Sequence, residues 1–217
     1  MIAPDGVLGV DLGIKNIIVD STGEEFSGDK IDNVRTKMDT LKADLQSCGT
    51  DSAKRHLKKL SGKESRFRRD MNHCISKKLV AKAKDTSSMI TLEDLQGIME
   101  RMTVSKAQRR KQHGWGFYQL RQFIEYKAAL AGVPVVYIDP AYTSQECPVC
   151  HHLSRSNRRT RDEFACVWCG FSGHADTVAA RNIAARAAAN LPIVARFFAE
   201  PQTSNVGDAH ARQFIGE

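Results

Sequence analysis

No apolar run in this 217-residue chain approaches the roughly 18 residues needed to span a bilayer. Its first residues, MIAPDGVLGVDLG, place Asp5 and Asp11 where a signal peptide would carry a basic stretch, so no signal peptide and no membrane partner are expected. With 41% hydrophobic residues the chain is too apolar for wholesale disorder and can build one sizeable core. Acidic residues are scarce in one place. Between 54 and 84, only Glu64 and Asp70 stand against twelve lysines and arginines, whereas the whole chain carries a formal charge of +7. The remainder is therefore acidic on balance, and the basicity is local. A local cationic stretch suits a polyphosphate partner, whose condensed counterions are released on contact. A merely solvated helix face would intersperse more acids. Candidate nucleic-acid contacts here are Lys54, Arg55, Lys58, Lys59, Arg66, Arg68 and Arg69.

Cysteine is also scarce. There are six, and four fall in CPVC (147–150) and CVWC (166–169). Two CxxC turns offer four thiolates, a complete tetrahedral set for zinc. The fifteen residues between the pairs are polar and cannot build a core, so a metal would have to stabilise them. Two disulfides do not suit an intracellular chain, and a redox dithiol needs only one pair. With Cys147, Cys150, Cys166 and Cys169 all ligating, the zinc has no open position and is structural. His151 and His152 follow Cys150 and could compete as ligands, but solvent or nucleic acid is the expected contact. Arg155, Arg158, Arg159 and Arg161 lie on the intervening loop, where phosphate contact is expected. Cys48 and Cys74 are expected to be core or near-surface residues.

Apolar periodicity predicts strands over 7–12, 17–19 and around Glu25 and Phe26, forming a meander. Ile31, Val34, Met38, Leu41 and Leu45 predict an amphipathic helix broken at Cys48-Gly49-Thr50. A short helix with Leu57 and Leu60 follows. Ser61-Gly62-Lys63-Glu64 has the form of a capping box opening another helix, with Phe67, Met71, Cys74, Ile75 and Leu79 inward. Further elements are a strand over 88–93, a helix over 115–131 stopped by Gly132, a strand over 133–138 and an alanine-rich helix over 175–189. Residues 97–114 read as a mobile loop or lid and 196–217 as a disordered tail. The order is that of an α/β, ribonuclease H-like mixed sheet with helices on both faces, one candidate topology among several. The core would run over 5–145 and finish with a helix over 173–195, and a four-cysteine zinc ribbon would be inserted over 146–172.

In that topology Asp11 ends the first strand, Glu93 ends the fourth, and Asp176 opens the last helix. Singly, each has an ordinary explanation. Asp176 is a favourable charge at a helix N-terminus, Asp11 caps a turn, and Glu93 is a polar strand end. Together they would converge, and converging carboxylates repel unless hard cations such as Mg²⁺ or Mn²⁺ sit between them. Two such ions can activate water and stabilise the leaving oxygen of a phosphodiester.

The segments GVDLGIKN, RFRRDMNHCISKKLV, ITLEDL, WGFYQL through VVYIDPAYTSQECPVC, and CVWCGFSGHADTVAARNIA resemble, in that order, the C-terminal half of the transposon-encoded TnpB proteins, relatives of the type V CRISPR effectors. The resemblance implies a RuvC-type nuclease with Asp11, Glu93 and Asp176 as catalytic ligands of two Mg²⁺ or Mn²⁺ ions and the four cysteines on zinc. It matches Tyr142, Thr143, Ser144 and Gln145 to the family's YTSQ stretch, and Arg181 and Asn182 to its ARN. Of these, Tyr142, Ser144, Gln145 and Arg181 are further candidate nucleic-acid contacts. The partners it implies are target DNA and a guide RNA, with a further lobe ahead of GVDLG supplied by a separate polypeptide or a full-length homologue. The implied location is the cytoplasm, at the nucleoid. Histidine replaces the commoner asparagine at 174. Two other readings compete: a truncated, non-catalytic RNA- or DNA-binding derivative, and a zinc-ribbon adaptor working through protein contacts.

Overall fold

The computed structural model describes residues 4–13, 15–94 and 116–189. The proposed lid, Trp115 and the tail lie outside the described residues. Five strands form one mixed sheet: β1 (Gly6–Asp11), β2 (Asn16–Asp20), β3 (Glu25–Ser27), β4 (Ser88–Glu93) and β5 (Val135–Ile138), in the order β3-β2-β1-β4-β5. β1, β2 and β3 are the antiparallel meander, while β4 and β5 join β1 in parallel. The helices are α1 (Asp29–Cys48), α2 (Asp51–Asp85), α3 (Phe117–Ala131) and α4 (Ala175–Ala188). Among the described residues no helix is long and apolar enough to cross a membrane.

The two-residue period of a strand assigns the faces. Leu8 and Val10 of β1 and Ile90 and Leu92 of β4 point to one side. There they join Ile75, Leu79 and Ala83 of α2 and Leu120, Ile124 and Ala128 of α3 in the main core. Gly9 points to the other side, where α4 lies. A Cβ at Gly9 would come within 2.2 Å of the Ala180 carbonyl oxygen and 2.6 Å of the Ala184 nitrogen. The alanines of α4 and the glycine of β1 thus let helix backbone settle directly on strand backbone. Gly9→Ala is expected to destabilise the fold by about 3 kcal/mol, since backbone rather than a flexible side chain must yield. Urea unfolding measures this, and a loss below about 1 kcal/mol would contradict the close approach.

The α1 helix ends as the sequence predicts, at Gly49 in the left-handed conformation (φ 65°). The capping box does not operate. α2 is one helix of 35 residues capped by Thr50, whose side chain accepts from the Ala53 N–H at 3.2 Å. The helix runs through Ser61 and Gly62 because Ala53, Leu60 and Phe67 continue one buried stripe, enough to offset the roughly 1 kcal/mol cost of an interior glycine. Glu64, the supposed capping acid, is paired with Lys42 of α1. Cys74, expected inward, is exposed, as is Cys48; it lies one position off the row that buries Ile75 and Leu79.

Asp20, at the end of β2, is fully buried and faces α2. It accepts from the Thr22 and Glu24 N–H groups at 2.9 and 3.0 Å and pairs with Lys82. Burial alone would raise its carboxyl, but Lys82 and these donors hold it below the ordinary range.

Candidate active site and metal centre

The β1–β4 register pairs Gly9 with Thr91 and Val10 with Leu92. One step further, Asp11 and Glu93 stand at adjoining strand ends on the face that α4 covers. α4 begins at Ala175 and carries Asp176, buried, in its first turn. A carboxylate there gains from the helix dipole. The structure thus brings together the three acids named from the sequence, although α3, β5 and the whole ribbon separate Glu93 from Asp176 along the chain.

The three acids also act on one another electrostatically. Burial first, then the charges of Glu93 and Asp176, push Asp11 from 3.8 up to about 7; Arg158 and the Leu12 N–H offset only part of this. Glu93 is also raised, by burial, against a hydrogen bond from Thr143 and the charge of Arg186. The contrast with Asp20 is informative. One step back from Asp11 in β1, Val10 pairs with Asp20, whose charge a lysine neutralises. On the other face, neither Asp11 nor Glu93 forms an ion pair with a cation among the described residues. Asp176 Oδ1 accepts from Arg158 Nη2 at 3.2 Å, and Arg158 also donates to the Arg161 carbonyl at 2.8 Å. An under-neutralised set of three carboxylates has the donor chemistry of a hard divalent cation site.

The four cysteines form a second centre. Their sulfurs lie within 4.8 Å of one another, the one such group of three or more metal-binding side chains among the described residues; the carboxylates are not gathered so tightly. Cys147 and Cys169 Sγ are 3.6 Å apart, as are Cys150 and Cys166 Sγ. A disulfide would bring sulfurs to about 2.05 Å, whereas a tetrahedron with metal–sulfur bonds of about 2.3 Å spaces them at about 3.8 Å. The spacing therefore fits a four-thiolate metal. Burial opposes ionisation of Cys166, but the Cys169 and Trp168 N–H groups bring its thiol down to about 6. Against the His152 N–H, burial and the neighbouring sulfurs push Cys150 up to about 12, so without a metal the clustered thiols ionise at one another's expense.

A short hairpin, β6 (Glu163–Ala165) and β7 (Ser172–His174), supports the second knuckle and runs straight into α4. Phe164, fully buried, clusters with Cys147 and Cys166 and with Ala175 and Val178 of α4. The ribbon's small core is thereby continuous with the first turn that bears Asp176.

The sequence missed Asn157. It is fully buried, donates to the Gln145 and His152 carbonyls at 2.9 Å each, and accepts from the Val167 N–H at 3.0 Å, knitting both knuckles together. No sequence signal distinguishes an asparagine in a polar loop from its neighbours. Arg158, a candidate phosphate contact, is half-buried and pairs with Asp176, while Arg155, Arg159 and Arg161 are exposed. His151 is exposed and bonds Glu146, and His152 stacks on the exposed Trp168 with centroids 5.9 Å apart. Lys54, Arg55, Lys58, Lys59, Arg66 and Arg69 are exposed along α2; Arg68 is half-buried. Tyr142 is exposed, Ser144 and Gln145 are half-buried, and Arg181 is exposed beside a buried Asn182.

The architecture is therefore a mixed α/β sheet with an acidic centre at the carboxyl ends of two central strands and a four-cysteine ribbon leading into the helix that completes it. Residues 3–102 match the family described as Probable transposase (OrfB of IS605), and residues 117–183 match the Cas12f1-like TNB domain family. The chain is 31% identical over 195 residues to the CRISPR-associated endodeoxyribonuclease Cas12f1 of Sulfoacidibacillus thermotolerans, covering 82% of this chain and 45% of that protein. It is 33% identical over 157 residues to a TnpB-like protein of Methanocaldococcus jannaschii, covering 66% and 56%. Its fold matches a chain of a Cas12f1–sgRNA–target DNA complex solved by cryo-EM, with a TM-score of 0.69, 22% identity, and coverage of 83% and 50%. Over most of its length the chain is thus similar to TnpB-like and Cas12f1-like proteins. It spans about half the length of the curated relatives it matches.

Proposed function

We propose that this chain is the RuvC-type, ribonuclease H-like nuclease domain of a TnpB-like RNA-guided DNA endonuclease, with Asp11, Glu93 and Asp176 holding two Mg²⁺ or Mn²⁺ ions. The observation that carries the reading is the convergence of three carboxylates from β1, β4 and α4, where burial first and then the charges of Glu93 and Asp176 push Asp11 up to about 7. Relatives named as endodeoxyribonucleases support it. Bound there, divalent cations supply an activated water for in-line attack on a phosphodiester and stabilise the leaving oxygen.

The chain's own residues do the rest. Asp11 and Glu93 would hold the cations from strand ends, and Asp176 would close the set from the helix. Arg158 brings a positive charge to the edge of the centre, where a phosphate would enter. The exposed cations of α2 from Lys54 to Arg69 extend over about 23 Å of helix and track a nucleic-acid backbone without reading sequence. Guide RNA and target DNA are the proposed partners, and zinc is the proposed occupant of the thiolate site, in a structural role.

The test is cleavage of single-stranded DNA with Mg²⁺ or Mn²⁺ by the intact chain, with and without guide RNA, beside Asp11→Ala and Glu93→Ala. Metal-dependent cutting by the parent and its loss in both variants is the expected result. Equal activity in all three would sink the nuclease assignment. Salt-dependent binding without metal-dependent cutting would transfer the chain to the non-catalytic nucleic-acid-binding reading.

A further inference from the structure

The loop over 139–146 leaves β5 and enters the ribbon, and five hydrogen bonds from two side chains of α4 hold it. Asn182, buried, donates through Nδ2 to the Thr143 and Glu146 carbonyls at 2.8 Å each. Arg186 donates to the Asp139 and Ala141 carbonyls at 3.1 and 2.6 Å, and its Nη2 reaches Glu146 Oε2 at 3.0 Å. Held this way, Tyr142 sits in the left-handed region (φ 65°), a conformation a tyrosine keeps only where its surroundings fix it. The next residue, Thr143, is 3% exposed, and its hydroxyl donates to Glu93 Oε1.

A threonine hydroxyl has one proton to donate. Among the described residues its only other acceptor is the Pro140 carbonyl at 3.1 Å, inside the same loop. Which acceptor it serves depends on how the loop is set. With the loop held, Glu93 Oε1 is occupied, and no described residue hydrogen-bonds Oε2, which remains for a cation. We propose that Asn182 and Arg186 are positioning residues for Glu93, acting through Thr143, so that the helix presenting Asp176 also orients the carboxylate on β4. Both acids would then move as one unit with α4. The inference rests on the metal-binding reading of the acidic centre given above. Partners of metal ligands at this remove contribute about 10- to 100-fold to metal affinity.

The experiment is Mn²⁺ titration of the full, zinc-loaded chain followed by electron paramagnetic resonance, with Asp11→Ala as the reference for a broken centre. Thr143→Val keeps the volume and removes the donor; it should weaken Mn²⁺ binding about tenfold, and Thr143→Ser should restore it. Asn182→Ala should weaken binding too, and combining it with Thr143→Val should add nothing further, because both act on one bond. Arg186→Gln separates position from charge. Removing a nearby cation would tighten Mn²⁺ binding if Arg186 acted through its field alone, whereas loss of positioning weakens it. This variant also decides the matter if Asn182→Ala does not fold. Parental affinity in Thr143→Val, additive losses in the double variant, or tighter binding in Arg186→Gln would each overturn the inference while the Asp11→Ala reference stays deficient. Equal binding by Asp11→Ala and the parent would overturn both this inference and the metal-binding reading.

Discussion

Asp11→Asn is expected to make the metal-free protein more stable near neutral pH while abolishing metal-dependent cutting. Asp11 has a folded-state pKa of about 7 against an ordinary 3.8. The folded state therefore holds this proton over a range in which the unfolded chain has released it. Between about pH 4 and about pH 7, unfolding releases a proton, so the contribution of Asp11 to stability is full below the ordinary value and is lost as pH rises through the window. At neutral pH the parent must fold with three carboxylates forced together, or keep a proton on one of them. Asparagine removes that conflict at nearly constant volume. The shift corresponds to at most about 4 kcal/mol, and in a chain of this size each kcal/mol moves the melting temperature by about 2–4 °C. A rise of about 5–10 °C for the metal-free variant near neutral pH is expected, shrinking towards pH 4. Adding Mn²⁺ should reverse the order, since a ligand that binds only the folded state stabilises it by mass action and the variant has lost a ligand. Cutting should fall by more than the roughly 100-fold typical of losing a partner of a metal ligand. Thermal scans at several pH values, with chelator and with Mn²⁺, check each part. A variant no more stable than the parent near pH 7 without metal would show that the acids are not in conflict.

Strand periodicity is what made the placement of Asp11 and Glu93 legible in the sequence. Asp11 and Glu93 end short apolar runs, and strand periodicity places them on one face once β1 and β4 are neighbours. The parallel pairing of Val10 with Leu92 is what the sheet order requires. The cysteine spacing was legible because CxxC is a local turn. What could not be read was long-range hydrogen bonding by ordinary polar residues. Asn157, Asn182 and Arg186 make most of their bonds to backbone groups, and a backbone group leaves no trace in residue type. Asn182 could be matched to the family's ARN, but nothing local showed that it, rather than Arg181, turns inward. Arg158 was legible as a cation and not as the partner of Asp176, because the fold of the ribbon decides that contact. The failed capping box has the opposite cause. The local signal at Ser61–Glu64 was sound in form, but the continuous packing of α2 against α1 outweighed it, and Lys42 claimed the glutamate.

Removing the ribbon metal should unfold the ribbon without unfolding the sheet, and should disable the acidic centre indirectly. The main core, from Leu8 and Val10 through Ile90, Leu92 and Leu120, contains no ribbon residue. The ribbon's own core is little more than Cys147, Phe164 and Cys166 resting on Ala175 and Val178. So small a cluster cannot offset the entropy of ordering the segment from 147 to 174; a structural zinc, contributing about 10–16 kcal/mol in small domains, can. Cys166→Ser takes away one of the four sulfurs. It should reduce bound zinc from one per chain towards none. It should also raise amide exchange across 147–174 and into the first turn of α4, while β1, β4 and the C-terminal half of α2 stay protected. Asp176 would then lose both its helix turn and Arg158, and cutting should fall with Asp11 and Glu93 chemically intact. Acid should act as the substitution does, because thiolates must be deprotonated to hold the metal. Metal analysis by mass spectrometry and hydrogen exchange read the two halves of the argument separately. Full zinc retention in Cys166→Ser would remove the thiolate site, and unchanged exchange at 175–178 after zinc loss would show that the ribbon does not hold the third carboxylate in place.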